Sequence, residues 1–310
     1  MIKRILVIRF GALGDFIISL GPAEAIRRHD PDAHITLFTT KPFIELAQRS
    51  GLFNDIWTDS RPGWLDLPGL WRLRLRLRGG RFDLVYDLQC NDRSALYFLL
   101  IGPGRRPDWS GKAPGCSLPR SRRGGEGIHA FDLYAGQLAE AGIPDTRPTR
   151  LDWVDADVSR FGLDDHSYVL LIPGSAPHRP DKRWPTEHYA ALAQRITANG
   201  LRPVVLGTGG EAALAAEITA GCPQTLDLCG KTSLFELGAL ARRAAAAIGN
   251  DTGPMHLISA VGCPCLVLFS AASDPVRSTP KGEKVQFLQR QTLAELPAAT
   301  VWATVGLAPL

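Results

Sequence analysis

Hydrophobic positions along this chain fall into two alternating patterns: short aliphatic runs, and longer stretches with apolar residues three and four apart. Ile5–Ile8, Ile35–Phe38, Phe53–Trp57 and Leu84–Leu88 read as strands. The first has the unbroken aliphatic character of a strand buried on both faces of a parallel sheet. Phe16–Arg28 and Lys41–Gln48 read as helices among them. Trp71–Arg78, WRLRLRLR, alternates strictly between apolar and basic residues. Period two by itself favours a strand, but a parallel pattern needs a crossover here, so the segment is predicted to be helical. From Gly102 to Gly127 the chain is rich in Gly, Pro and basic residues and reads as irregular, and a helix over Ala130–Ala141 closes this half.

The stretch Pro144–Asp157, with Pro148 and several aspartates, reads as an interdomain connection, after which the alternation resumes. Strands are predicted at Val169–Ile172, Pro203–Leu206 and Leu226–Leu228, and helices at His188–Asn199 and Glu211–Ala220. Ser233-x-x-Glu236 is a capping box for a helix running to Ala245. A further apolar run ends at Ile248 and a turn follows at Gly249-Asn250. Asp251-Thr252-Gly253-Pro254 then opens a helix with Met255, Leu257, Ile258 and Val261 on its apolar face, stopped by Gly262 before a strand at Leu266–Phe269. Strands alternating with helices through both halves predict two α/β domains with parallel sheets, residues 1–150 and 151–310.

A chain of 310 residues with 45% hydrophobic and 21% charged residues has ample material for two cores. The net charge of +4 is too small to argue for a nucleic-acid partner. Cys90, Cys116, Cys222, Cys229, Cys263 and Cys265 lack C-x-x-C spacing, which points to free thiols in a reducing compartment. Arg9 interrupts the first apolar run too early for a signal peptide, and no window approaches the ~20 apolar residues of a membrane span. The expectation is a soluble, cytoplasmic protein.

Glycine-bearing turns follow three of the strands: Gly11–Gly14, Gly174-Ser175 and Gly207–Gly210. None is a G-x-G-x-x-G dinucleotide fingerprint or a P-loop. Without a Cβ, glycine lets backbone amides approach phosphate or sugar closely, which makes Gly14, Ser175 and Thr208 candidate ligand contacts. Asp15 stands at a helix start, where a carboxylate either complements the dipole or acts as a general base. Lys182, in Asp181-Lys182-Arg183-Trp184-Pro185, is either a solvated loop lysine or a partner for a diphosphate at the helix start of Asp251, Thr252, Gly253 and His256. Glu211 either begins its helix or accepts hydrogen bonds from ribose hydroxyls.

Three segments together, RILVIRFGALGDFIISLGP, PGSAPHRPDKRWP and IGNDTGPMHLISAVGCP, resemble glycosyltransferase family 9, the heptosyltransferases of lipopolysaccharide core assembly, in order and spacing over almost the whole chain. The resemblance implies a GT-B fold, two facing Rossmann-like doubly wound parallel-sheet domains with a cleft between them. It implies an acceptor-side N-terminal domain and a C-terminal domain that binds an ADP-sugar, usually ADP-heptose. It places the general base on Asp15, the diphosphate lysine on Lys182, the ribose-binding glutamate on Glu211 and the D-T-G-x-x-H motif on Asp251, Thr252, Gly253 and His256. Lys231 and Thr232 fall on a segment lining the adenine pocket. Two departures lie near the sugar position: Phe269-Ser-Ala-Ala-Ser-Asp274-Pro275 is one residue longer than the family's usual turn, and Pro177 and His178 replace hydroxyl-bearing residues.

The implied activity is transfer of a heptose or related sugar, with inversion, from an ADP-sugar to a lipopolysaccharide core acceptor, with Asp15 as base. No D-x-D motif is present to hold a metal, and no cofactor is implied. For an anionic acceptor, the basic residues Arg105, Arg106, Lys112, Arg120, Arg122 and Arg123 are the expected contacts, to the glycan and peripherally to the inner membrane surface. Two alternatives stay open: a GT-B transferase with another nucleotide-sugar or acceptor, and a GT-B-like protein that binds a nucleotide without turnover.

Overall fold

The structure is a computed structural model that describes residues 2–102, 104, 106–120, 127–164 and 167–307. The chain divides into two compact units, Met1–Thr149 and Arg150–Leu310. The first carries β1 (Arg4–Ile8), α1 (Leu13–His29), β2 (His34–Thr39), α2 (Ile44–Arg49), β3 (Asp55–Thr58) and α3 (Leu67–Gly79). It continues with β4 (Leu84–Asp87), α4 (Asp92–Ile101), β5 (Asp108–Gly111), β6 (Leu118–Pro119) and α5 (Ala130–Glu140). Its sheet is parallel throughout, in the order β3-β2-β1-β4-β5-β6. Ile5, Leu6, Val7 and Ile8 are buried, as a central strand covered on both faces requires.

The Trp71–Arg78 alternation is helical, within α3. Asp66 caps the helix by accepting from the Gly69 backbone N–H at 2.8 Å, and Pro68 sits in the first turn. Gly69, Leu73 and Leu77, spaced by four, form the buried face. The pattern therefore contains a helical period inside the period of two, and the leucine and tryptophan positions between are left outside. The expectation of an irregular stretch over Gly102–Gly127 is corrected by β5 and β6, which extend the sheet beyond β4. Both are very short, and Gly111 is needed where a Cβ would come within 2.9 Å of the Asp87 Cβ, so neither carries the β-branched alternation that marks a strand.

The second unit carries β7 (Tyr168–Ile172), α6 (Thr186–Ala198), β8 (Arg202–Val205), α7 (Ala212–Gly221), β9 (Leu226–Asp227) and α8 (Leu234–Arg243). It ends with β10 (Ala246–Asn250), α9 (Gly253–Ala260), β11 (Cys265–Phe269), α10 (Pro275–Ser278), β12 (Val285–Gln289) and α11 (Ala298–Val305). Its sheet is also parallel, in the order β12-β11-β10-β7-β8-β9. Trp184, Tyr189, Val169, Leu171, Ile248 and Leu266 meet in its core, each large apolar side chain contributing on the order of 1.5–3 kcal/mol by leaving water. The capping box of Ser233 and Glu236 forms as read. The turn expected at Gly249-Asn250 is corrected: both residues are the buried end of β10. The six cysteines are free thiols. Among the described residues no helix is long and apolar enough to cross a membrane.

Candidate functional site

In each sheet the strand order reverses once, between β1 and β4 in the first unit and between β7 and β10 in the second. Parallel α/β sheets bind ligands at the carboxyl ends of strands at such a reversal. Asp15 stands at the first of these places, and Lys182, Asp251, Thr252, Gly253 and His256 at the second.

In the first unit Arg9 follows β1 and is almost fully buried. Its Nη1 donates to the Leu88 carbonyl at 2.9 Å and the Tyr134 hydroxyl at 2.7 Å, and its Nη2 pairs with Asp15 Oδ2 at 2.8 Å. Asp15, in the first turn of α1, keeps 46% of its side chain exposed. One carboxylate oxygen is thus held by a fixed guanidinium while the group stays open to a ligand. Gly11 shapes the turn: its φ is +112°, and an added Cβ would lie 2.5 Å from the Phe43 ring, which itself stacks on Phe16 at 4.5 Å.

Beside this turn lies Asp87, buried at the end of β4. Its Oδ1 accepts from the backbone N–H groups of Gln89 and Cys90 at 3.0 and 2.8 Å. Its Oδ2 has no hydrogen-bond partner among the described residues. Burial pushes its pKa up to about 6, against the lowering effect of the Cys90 and Gln89 amides, Ser94 and the Arg120 charge. The Cys90 thiol donates to the Asp87 carbonyl at 2.9 Å, and burial together with the Asp87 charge pushes it up to about 12, so it is an inert thiol.

Of the basic residues expected on the acceptor side, Arg106 stacks on Phe98 with 5.2 Å to the ring centroid and donates to the Gly102 carbonyl. Lys112 is exposed just after β5, and Arg120 follows β6, where its charge acts on Asp87. Arg105, Arg122 and Arg123 lie outside the described residues.

In the second unit Lys182 and Asp251, 69 residues apart, meet with Nζ and Oδ2 at 2.7 Å, their side chains 20% and 9% exposed. Asp251 follows β10, and Thr252 is the N-cap of α9, without a capping bond from its hydroxyl. Gly253 and Pro254 form the first turn, and His256 is buried one turn into the helix. The loop that carries Lys182 is fixed by Asn250. Its Nδ2 donates to the Pro173 carbonyl at 2.7 Å, and its Oδ1 accepts from the Trp184 N–H and the Tyr189 hydroxyl, each at 3.1 Å. Ser175 is buried and spends its hydroxyl inside the same loop, donating to the Arg179 carbonyl at 2.8 Å and accepting from Arg183 Nε at 3.0 Å.

Glu211 joins two glycine turns. Its Oε2 accepts from the Thr208 N–H at 2.7 Å and hydroxyl at 2.5 Å, and its methylene chain packs where a Cβ on Gly174 or Gly207 would be. Gly230 donates its N–H to the Gly207 carbonyl at 2.8 Å, so the segment that follows abuts this turn; Lys231 donates to the Asp227 carbonyl at 2.7 Å, and Thr232 follows it, half-buried. The two departures from the family pattern are tied together, since Arg179 Nη2 donates to the Ala272 carbonyl at 2.7 Å. Asp274 caps α10 by accepting from the Val276 N–H.

Arg9, Asp87, Asn250 and Arg179 were not singled out as site residues by the sequence. For Arg9 and Asp87 a signal existed, a charged residue closing a buried aliphatic run. Asn250 and Arg179 gave none, because the contacts that place them here, to Pro173 and Trp184 and to Ala272, are remote in sequence.

The sequence profile of "Glycosyltransferase family 9 (heptosyltransferase)" matches residues 70–300. The chain is 24% identical over 289 residues to the lipopolysaccharide core heptosyltransferase OpsX of Haemophilus influenzae, covering 90% of this chain and 82% of that protein. It is 27% identical over 309 residues to lipopolysaccharide heptosyltransferase 2 of Escherichia coli K12, covering 92% and 88%. The structure of E. coli ADP-heptose LPS heptosyltransferase II superposes with a TM-score of 0.78 at 22% identity over 98% of both chains. The E. coli heptosyltransferase WaaC with ADP superposes with a TM-score of 0.75 at 18% identity, over 98% of this chain and 99% of the other. Both share the GT-B architecture of two Rossmann-like parallel-sheet units in one α/β chain. The chain belongs to glycosyltransferase family 9, the heptosyltransferase family, and is a glycosyltransferase enzyme.

Proposed function

We propose that this enzyme transfers a heptose or closely related sugar, with inversion, from an ADP-sugar to an anionic lipopolysaccharide-core acceptor. The second unit (151–310) binds the donor. The ammonium of Lys182 and the N–H groups opening α9, at Thr252 and Gly253, receive the diphosphate, with Asp251 and His256 shaping that end. Glu211 accepts from the ribose through the carboxylate oxygen that Thr208 leaves uncommitted. Gly14, Ser175, Thr208, Lys231 and Thr232 complete the donor contacts, Ser175 by holding its loop.

The first unit (1–150) supplies Asp15, which takes the proton from the attacking acceptor hydroxyl as the bond from the anomeric carbon to the diphosphate breaks. The departing ADP carries the negative charge, which Lys182 and the helix start stabilise without a metal. Arg106, Lys112 and Arg120, with Arg105, Arg122 and Arg123, receive the acidic acceptor. An acceptor of this class is membrane-borne, so a peripheral contact with the inner face of the plasma membrane is part of the reading.

The observation that carries the proposal is the Lys182–Asp251 pair at the opening of α9. A lysine held at a helix N-terminus beside a strand-order reversal is suited to a diphosphate leaving group. Names of the relatives, which include one structure of a heptosyltransferase with ADP, support the donor class. The test is Asp15→Asn. It should lower kcat by ~10²–10⁴-fold while ADP binding, followed by calorimetry, is unchanged. Wild-type turnover in the variant would remove Asp15 from its role, and absence of ADP binding in the wild type would remove the donor assignment.

A further inference from the structure

The strictly alternating WRLRLRLR segment leaves a consequence on the surface of the first unit. Wound into α3, an alternation of two cannot segregate its apolar residues to one side, because the helical repeat is 3.6 residues. Leu73 and Leu77 enter the core, while Trp71 and Leu75 face solvent, 59% and 52% exposed. With Leu67 they form a stripe spaced by four along the outer face, and Leu65, 96% exposed, with the exposed Trp64, extends it into the preceding loop. Exposed apolar positions are ordinary one by one, but this contiguous group contains two tryptophans.

Within α3 the charge beside the stripe is basic, and the one carboxylate among the stripe residues, Asp66, is engaged as the helix cap by the Gly69 N–H. At 100° per residue, Arg72 flanks one side and Arg74 the other, Arg78 closes the C-terminal end of the stripe, Arg76 turns toward the buried face, and α3 contains no acidic residue. Arg74 and Arg78 are held alongside by donating to the carbonyls of Leu100 and Ile101, and Arg76 lies over the Trp57 ring at 4.5 Å. The loop that carries Trp64 and Leu65 is anchored as well. Asp59 pairs with Arg93 at 3.2 Å and bonds the Tyr97 hydroxyl, and Arg93 donates to the Pro62 carbonyl. The loop and the first turn of α3 thus stand at the carboxyl end of β3, the same end of the sheet as Asp15, and the helix carries Trp71 and Leu75 back along the sheet from there.

We propose that the outer face of α3 and the preceding loop dock this protein on an anionic lipid surface. Tryptophan and leucine enter the headgroup region and the arginines neutralise lipid phosphates. A second copy of this chain fits poorly, since the same face would bring two rows of arginines together. The inference deepens the membrane contact of the proposed function, moving it from the loop of 105–123 to α3. It rests on that reading for its biological setting, not for its physics.

The test is co-sedimentation of the full chain with phosphatidylcholine vesicles, with and without phosphatidylglycerol. The wild type should sediment with the anionic vesicles. The double variant Trp71→Gln, Leu75→Gln should lower the partition coefficient by at least about 10-fold. Arg72→Gln should lower it about 5-fold on anionic vesicles alone. Equal sedimentation of wild type and double variant, or none by the wild type, overturns the inference. Self-association of the wild type that the double variant abolishes overturns it in favour of a second copy. ADP binding measured on the same samples should be equal in all of them. If it is absent throughout while vesicle binding follows the expected order, the transfer reading fails and the docking surface stands.

Discussion

Removing Lys182 separates a phosphate-binding lysine from one that only neutralises Asp251. Lys182 and Asp251 are in contact at 2.7 Å and mostly withdrawn from water. Lys182→Met therefore has two effects. It leaves Asp251 as a largely buried charge without its partner, at a cost of roughly 1–3 kcal/mol of stability. It also removes a charge-assisted bond to the diphosphate, on the order of 1.5–3 kcal/mol, or about 10- to 150-fold in Kd. The two are separated by Asp251→Asn. In the double variant no charge is stranded, so stability should recover while ADP affinity stays weak. Asp251→Asn alone removes a negative charge beside the phosphate and should leave affinity unreduced. Calorimetric titration with ADP gives Kd, and thermal unfolding with and without ADP gives the linked stability. At an ADP concentration about 100 times the wild-type Kd, binding stabilises the fold by ~2.7 kcal/mol. A 100-fold weaker variant retains only ~0.4 kcal/mol at that concentration. Recovery of wild-type affinity in the double variant would refute the reasoning, because Lys182 would then act only through Asp251.

Asp87 and Arg9 give two further predictions. The Asp87 carboxyl, raised by burial from 3.8 to about 6, binds its proton more tightly folded than unfolded. Its contribution is therefore present below pH 4 and lost as pH rises through 6, an effect of at most about 3 kcal/mol. Asp87→Asn should flatten that slope in thermal unfolding scans between about pH 4 and pH 7, and an unchanged slope would assign it to another group. Arg9→Met strands the Leu88 carbonyl and the Tyr134 hydroxyl in the core, costing roughly 1–3 kcal/mol each at most. It also frees Asp15 to rotate, so kcat should fall ~10- to 100-fold with the ADP Kd unchanged. A loss of stability without any loss of kcat would mean that Arg9 supports the fold and not the carboxylate.

The residues that sequence made legible share a property: their chemistry is announced by near neighbours. Gly11 and Asp15 follow a buried aliphatic run, and Thr252, Gly253 and Pro254 punctuate the start of α9. The capping box at Ser233 needs only four residues to be recognised. What was passed over depends on distant partners or weak patterns. α4 has its own capping box, but Asn91 closes it with Ser94, not the usual acidic residue. β12 is an edge strand with no buried residue, and neither it nor α11 was anticipated. Helical α3 was legible only because the topology required a crossover, its local pattern favouring a strand.

The two sheets arrive at one device by different residues. In the first unit a polar side chain just beyond the central strand, Arg9, crosses the strand-order reversal to bond the Leu88 carbonyl after β4 and hold Asp15. In the second, Asn250 at the end of β10 crosses its own reversal to the Pro173 carbonyl after β7 and the Trp184 N–H. That bond fixes the loop from which Lys182 reaches Asp251. Each reversal opens a gap between strand ends where backbone groups would otherwise lack partners, and a buried polar side chain satisfies them. The same bonds set the direction of the adjoining charged group. A site built this way is held by the scaffold before any ligand arrives, which lowers the ordering cost of binding and catalysis. It follows that Asn250 and Arg9, which touch no expected substrate atom, matter to the placement of Lys182 and Asp15 as much as the local sequence of either residue does.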